Sequence, residues 1–288
     1  MSKKLKFHTA CVIGVGLIGG SLARVMKIRG IAENIVGSGR SRHNMDKALE
    51  LGIIDQALPP EEAVKNADLV FLCGPVKSII PTLEIIAPHL KDGALVSDVG
   101  STKGTIVKEA ERLSENGRFT FIGAHPIAGT EKSGAEAAFE TLFDDHKCII
   151  TPTEKTPVEE LLKLKTIWET AGTEVVIMTP DENDRVFGAV SHLPHIVVYS
   201  LVNAVCNMNE EDDLIQFAAG GFKDFTRIAS SPPEMWADIS IENSEILPDQ
   251  IDLVIEQLKN IKSAISGRDK EKLMAVFKKS NSFRNKLT

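Results

Sequence analysis

The four cysteines of this 288-residue chain (Cys11, Cys73, Cys148 and Cys206) are scattered, and none forms a C-x-x-C pair. That spacing argues against a thiol redox motif or a secreted disulfide framework and for small apolar residues in a reducing compartment. Basic residues are in deficit: 33 Lys and Arg stand against 40 Asp and Glu, for a net charge of −7. Without a basic footprint, nucleic acid and anionic membrane are not expected partners, and any anion site has to be built locally. No apolar run approaches the roughly 18 residues of a spanning helix, and the N-terminus lacks the apolar core of a signal peptide. A cytoplasmic location is the expectation. Repeats and low-complexity tracts are missing as well. What remains is an ordinary globular composition, 43% hydrophobic and 25% charged, on a chain long enough for two domains.

In the first half, short apolar runs alternate with helical patterns. Strands are expected at Thr9–Ile13, Asn34–Gly37, Leu69–Cys73, Ala94–Ser97, Phe119–Ile122, Lys147–Ile150 and Glu174–Met178. Helical patterns fall between them, as at Gly19–Gly30 and Thr102–Asn116. This alternation means βαβ units and a doubly wound, mostly parallel sheet of the Rossmann type. Beyond Met178 no convincing strand follows. Thr179-Pro180-Asp181-Glu182 reads as a capping box with proline at the first helical position, opening a long helix towards Cys206. Ser231-Pro232-Pro233-Glu234 reads as the same device. Ile251, Val254, Ile255, Leu258 and Ile261 keep helical spacing, as do Leu273, Val276 and Phe277. The expected division is an α/β domain over residues 1–178 and an all-α domain over 179–288, whose apolar stripes suit packing against a second copy or an ordinary core.

Gly14-Val15-Gly16-Leu17-Ile18-Gly19 sits between an apolar strand and Ser21-Leu22-Ala23, the strand–turn–helix setting of a dinucleotide fingerprint. Its first glycine permits the turn, its second lets the backbone approach a pyrophosphate, and its third allows close helix packing. The second strand ends in Val36-Gly37-Ser38-Gly39-Arg40-Ser41-Arg42, with no carboxylate to hold a ribose 2′-hydroxyl. Ser38, Arg40 and Ser41 instead suit a 2′-phosphate, so NADP is expected over NAD, with NAD possible. The alternative is that Arg40 and Arg42 are merely solvated. Gly74, after the Leu69–Cys73 strand, and Ser101 complete the expected cofactor set.

The stretch His125-Pro-Ile-Ala-Gly-Thr-Glu-Lys-Ser-Gly134 places an imidazole, a carboxylate and an ammonium within eight residues, where a strand is expected to open into a loop. His192 and His195 lie about one helical turn apart. Pro194 between them cannot donate to Val190, so a local kink is expected. Spacing suggests no third ligand, so no metal is expected there.

Five segments, in order, carry a resemblance: GVGLIGGSLA from Gly14, Asp98-Val99-Gly100-Ser101-Thr102-Lys103, GAHPIAGTEKSG from Gly123, Ser191-His192-Leu193-Pro194-His195, and Gly221-Phe222-Lys223-Asp224-Phe225-Thr226-Arg227. Spread over nearly the whole chain, they make it resemble the prephenate/arogenate (cyclohexadienyl) dehydrogenase family. The resemblance implies oxidative decarboxylation of a cyclohexadienol in tyrosine biosynthesis, by a homodimer joined through its helical half. It implies that His125 accepts the hydroxyl proton and that Ser101 hydrogen-bonds the same hydroxyl. Glu131 matches an acidic residue at the pocket mouth, His195 a substrate-binding histidine with His192 beside it, and Lys223, Asp224 and Trp236 fall on positions near the cleft. Arg227 is the expected carboxylate clamp, because a guanidinium offers two parallel hydrogen bonds.

Plainer roles stay open for most of these. His125 as a structural loop histidine, Ser101 as a helix cap, Glu131 as a solvated carboxylate and Trp236 as core are among them. So are Arg227 paired with Asp224 or Asp238, and Lys223 paired with Asp224. Two other functions are also open: a dehydrogenase of simple β-hydroxy acids, and a non-catalytic dinucleotide sensor. The sequence shows neither a fused mutase half nor a regulatory domain beyond Thr288, so feedback by tyrosine is expected, if anywhere, at the substrate cleft.

Overall fold

The computed structural model describes residues 5–115, 117–208 and 216–287. Asn116, the expected end of one helix, lies outside them. Eight strands form one sheet in the order β3-β2-β1-β4-β5-β6-β7-β8. They are β1 (Phe7–Ile13), β2 (Ala32–Ser38), β3 (Gln56–Ala57), β4 (Leu69–Leu72), β5 (Ala94–Asp98), β6 (Phe119–Pro126), β7 (Lys147–Thr151) and β8 (Glu174–Ile177). Strands β1 to β6 pair in parallel, β6 and β7 antiparallel, and β7 and β8 in parallel. The expected strands are all present, and the two-residue β3 was too short to leave a pattern. The order reverses between β1 and β4, and a crevice outside the carboxyl ends of strands is where such sheets bind ligands.

Alternate residues feed opposite faces. Val12 and Phe71 join one buried cluster with Leu22, Met26 and Trp168, while Cys11, Val70 and Leu72 join another with Ile79 and Leu83. Because both faces are covered, the central strands read as continuous apolar runs; all four residues of β4 are buried. Helices α1 (Leu17–Ile28), α2 (Arg42–Glu50), α3 (Pro60–Ala63), α4 (Val76–Ile86), α5 (Gly104–Ser114) and α6 (Val158–Thr170) connect the strands. All four cysteines are free, two of them fully buried, and burial pushes the Cys11 thiol up to about 12.

Strand β6 runs four residues past its expected end. Its first half pairs with β5 up to Ser97↔Ile122, and its second half pairs antiparallel with β7, Gly123↔Thr151 to Pro126↔Cys148. His125 therefore stands in a strand opposite Ile149, not in the loop expected from sequence. An antiparallel partner arriving from residue 147 is not visible in the residues around 125.

The capping box expected at Thr179 is present. Thr179 Oγ1 accepts from Glu182 N at 3.2 Å while Thr179 N donates to Glu182 Oε2 at 2.8 Å. Helix α7 (Pro180–Phe187) continues through a π-helical segment, Gly188–His192, into α8 (Leu193–Cys206). The distortion expected at Pro194 is this widened turn, which accommodates the missing N–H. The Ser231 device is not a capping box: α10 (Pro233–Glu242) has Pro232 at its N-cap and no side-chain cap. Ser231 stands one residue too early, and its carbonyl accepts from Tyr199 Oη at 2.8 Å. Between them lies the short α9 (Gly220–Thr226). Among the described residues one helix, Pro180–Cys206, is long and apolar enough to cross a membrane by length and composition.

By compactness the chain divides into two units, Met1–Asn243 and Ser244–Thr288. The second is a pair of packed helices, α11 (Leu247–Ser266) and α12 (Lys270–Arg284), the latter capped by Asp269 Oδ1 on Lys272 N. Leu253, Leu258, Ile265, Phe277 and Phe283 stand exposed on them.

Candidate active site

The glycine turn lies at the carboxyl end of β1. Gly14 has φ +97°, and a Cβ there would sit 2.7 Å from the Cys73 carbonyl carbon. A Cβ on Gly19 would come within 2.2 Å of Gly14 O, so neither position tolerates a side chain. Gly16 is the N-cap of α1, faces open space and brings no side-chain cap. The first-turn amides, including those of Leu17 and Ile18, are thus available to an anion. They open on a cleft of about 710 Å³ whose lining includes Gly14, Gly16, Arg40, Ser41, Gly74 and Ser133. An uncapped helix start, an open glycine and no acid at the end of β2 fit a dinucleotide.

Three details of this cleft were not visible in the sequence. Ser41 is the N-cap of α2, its Oγ accepting from Asn44 N at 3.2 Å. Asn44 joins the glycine turn to the far end of the 125–134 segment: its Nδ2 donates to Val15 O at 2.7 Å and its Oδ1 accepts from Ala135 N at 2.8 Å. Behind the cleft, at the end of β2, Ser38 Oγ is buried without a hydrogen-bond partner among the described residues. Arg40 is exposed, and Arg42 reaches Asp46 at 3.9 Å.

At the carboxyl ends of β5 and β6 lies a buried polar network. Asp98 and Lys103, both with no exposed side-chain area, form an ion pair. Lys103 Nζ also donates to Ala124 O at 3.0 Å, while Asp98 accepts from Gly100 N and Ala124 N. Burial raises the Asp98 carboxyl and lowers the Lys103 ammonium, and their mutual attraction opposes both shifts.

One residue beyond Ala124, His125 is 8% exposed. Its Nδ1 lies 3.0 Å from Asn183 Oδ1, and the edge of Phe187 packs on the ring at 4.5 Å. Burial drops its pKa to about 3, with the Asn183 hydrogen bond working the other way and the Lys103 and His192 charges adding to the fall. Asn183 Nδ2 donates to Ser101 O at 3.1 Å and Asp184 Oδ1 at 2.9 Å. The Asp184 carboxylate in turn accepts from Lys103 N and Gly104 N, at 2.7 and 2.8 Å, at the start of α5. Ser101 is therefore not the helix cap, and its Oγ is buried with no hydrogen-bond partner among the described residues.

His192 is 1% exposed, its Nδ1 3.1 Å from Asn243 Nδ2, which also donates to Asp184 O at 2.9 Å. Burial lowers its pKa to about 4. His195 is half-buried, stacks on Trp236 at 3.4 Å between ring centroids, and donates from Nδ1 to Ser191 O at 3.0 Å. Arg227 is exposed at the end of α9 and reaches Glu131 at 4.0 Å, not Asp224 or Asp238; Asp238 pairs with Lys77. Lys223 and Asp224 stand exposed on α9. Among the described residues no three His, Cys, Asp or Glu side chains are placed to hold a metal ion.

Both buried imidazoles bear on acid stability. A histidine kept neutral in the fold while the unfolded chain protonates near 6.5 contributes stability that is whole above that pH and is lost as pH falls. Between pH 6.5 and 4 both His125 and His192 act in this direction. Replacing either by Asn should flatten the slope of unfolding free energy in that window by up to about 1.4 kcal/mol per pH unit. Urea unfolding at pH 6.5 and 5 checks this, and an unchanged slope refutes it.

Two family models match the chain: "prephenate dehydrogenase, nucleotide-binding domain" over residues 22–183 and "prephenate dehydrogenase, dimerization domain" over 179–279. The chain is 34% identical to the cyclohexadienyl dehydrogenase of Zymomonas mobilis over 96% of its own length and 95% of that protein's. It is 37% identical to the prephenate dehydrogenase of Bacillus subtilis over 97% of its length and 76% of the relative's. The crystal structure of prephenate dehydrogenase from A. aeolicus in complex with hydroxyphenyl propionate and NAD+ superposes with a TM-score of 0.92 at 37% identity, covering 99% of this chain and 100% of that one. Synechocystis arogenate dehydrogenase gives 0.83 at 32% identity, covering 97% and 100%. With the doubly wound sheet, the glycine turn and the buried His125 in place, the chain belongs to the prephenate dehydrogenase family of oxidoreductases.

Proposed function

We propose that this chain is an NADP-preferring, cytoplasmic dehydrogenase of tyrosine biosynthesis that converts prephenate to 4-hydroxyphenylpyruvate, arogenate to tyrosine, or both. The observation that carries this reading is the buried, neutral imidazole of His125, held beside the Ser101 loop by one amide. Bound in the cleft, the nicotinamide supplies the hydride acceptor. The hydroxyl-bearing ring carbon loses its hydride, His125 takes the hydroxyl proton, and the bond to the ring carboxylate breaks. Carbon dioxide departs and its bonding pair enters the ring, leaving a phenolate that takes the proton back from His125 to become the phenol. Aromatisation drives the step, so the residues chiefly orient the substrate and hold a proton. A low pKa makes His125 a weak base in the free protein; two substrate carboxylates bound nearby raise it towards a useful range. The free Ser101 hydroxyl is the natural partner of the same substrate oxygen.

Arg227 and His195 lie on the helical side, with Glu131 at the mouth, and serve the substrate carboxylates in this reading; His192, Lys223 and Asp224 complete the substrate set. Arg227→Ala should raise KM with kcat largely kept, because it removes binding shared by ground and transition states. A collapse of kcat at constant KM refutes the clamp. Gly14, Gly16, Leu17, Ile18, Gly19 and Gly74 hold the cofactor, with Ser38, Arg40 and Ser41 taking its 2′-phosphate. Gly39→Asp supplies the missing carboxylate, and the nearest atoms to its Cβ belong to the flexible Met45 side chain, Sδ at 3.0 Å. The ratio of kcat/KM for NAD over NADP should then rise; an unchanged ratio shows that the adenosine sits elsewhere. The dimerization-domain match and the exposed apolar residues of α11 and α12 support a homodimer, with the helical domain beginning near residue 179. Formation of reduced nicotinamide on adding prephenate or arogenate, and none with 3-hydroxyisobutyrate, tests the whole reading.

A further inference from the structure

The two buried histidines present opposite chemistry, and two asparagines decide which. In Asn183, Nδ2 is the end that faces Ser101 O and the Asp184 carboxylate, at 3.1 and 2.9 Å. A carbonyl can only accept, and both Asp184 oxygens already take backbone N–H groups. The amide therefore cannot be reversed, and Oδ1 must face the imidazole of His125. An amide oxygen only accepts, so His125 Nδ1 carries the hydrogen and Nε2 carries the lone pair.

Asn243 works the other way. Its Nδ2 donates to the carbonyl of Asp184 at 2.9 Å, which fixes that amide too, and the same nitrogen faces His192 Nδ1 at 3.1 Å. Here the imidazole must accept. His192 Nδ1 holds the lone pair and Nε2 carries the hydrogen, and that Nε2 is buried with no hydrogen-bond partner among the described residues. Asn183, Asn243 and His192 are all at most 2% exposed, so water does not compete for these bonds.

We infer that Asn183 and Asn243 are positioning residues that lock His125 and His192 into opposite tautomers, making His125 a proton acceptor at Nε2 and His192 an obligatory hydrogen-bond donor at Nε2. Asp184 coordinates the pair, holding Asn183 through its carboxylate and Asn243 through its carbonyl. The unpartnered N–H of His192 suits an anionic oxygen, and a substrate carboxylate is the class it would take. It recognises that anion by a hydrogen bond without competing for the proton that His125 accepts. The link to catalysis rests on the proposed function; the tautomers do not.

The test uses the whole protein labelled with ¹⁵N-histidine. At pH 7, ¹⁵N–¹H correlation should show His125 protonated at Nδ1 and His192 at Nε2. Finding both rings in one tautomer, or either one doubly protonated, overturns the inference whether or not the protein turns over prephenate. Asn183→Ala should release only the His125 tautomer and lower kcat by about 10²-fold or more, the scale of losing a correctly presented base. Asn243→Ala should release only that of His192 and act mainly on substrate KM. Variants that keep the wild-type ¹⁵N pattern show that the asparagines do not set it. His125→Asn separates the two levels: if it leaves turnover intact while the tautomers stand as stated, the catalytic reading fails and the positioning survives.

Discussion

His125→Asn is expected to lower kcat by on the order of 10²-fold or more with little change in KM, the range for removing a general base. The side chain is buried and, among the described residues, its one polar partner is Asn183, so the substitution removes the proposed proton acceptor without stranding a charge. Because its pKa lies near 3 in the free protein, the acid limb of kcat/KM should fall well below the 6.5 of an ordinary imidazole. Steady-state kinetics from pH 4.5 to 8 measure both effects. An unaltered kcat would remove His125 from the chemistry.

The second large effect concerns stability. Lys103→Met should cost about 3–5 kcal/mol, because it leaves the Asp98 carboxylate buried with two backbone donors and no countercharge. In a domain of this size that is on the order of 10 °C in Tm. The measurement belongs in the absence of dinucleotide, whose binding adds its own stabilisation. Replacing both partners, Asp98→Leu with Lys103→Met, should recover part of the loss, since no unpaired charge stays buried while Gly100 N, Ala124 N and Ala124 O still lose their partners. A single-variant loss under about 1 kcal/mol would show that the pair is not dry.

Much of the cofactor half was legible because its signals are local. Gly14, Gly16 and Gly19 act within six residues, and a steric clash of 2.2 Å at Gly19 concerns atoms of the same turn. The capping box at Thr179 closes over three residues for the same reason. The Ser231 device misled because adjacent prolines move the helix start by one residue, a matter of backbone geometry. His125 and Ser101 were named from motif resemblance, and neither the burial nor the strand setting of His125 was part of that reading. Asn44, Asn183, Asp184 and Asn243 went unnoticed, since an isolated asparagine or aspartate in a helical pattern carries no signal of its own.

The amino-acid order alone determined the alternation of strands and helices, the glycine turn after β1 and the identity of the chemical groups, because periodicity, glycine sterics and side-chain type act over a few residues. Folding decided what those groups can do. His125 and Asn183 stand 58 positions apart, His192 and Asn243 51, and Lys103 and Asp184 81. A hydrogen bond is set by distance in space, and only the packed sheet and helices bring these partners within 3.1 Å of one another.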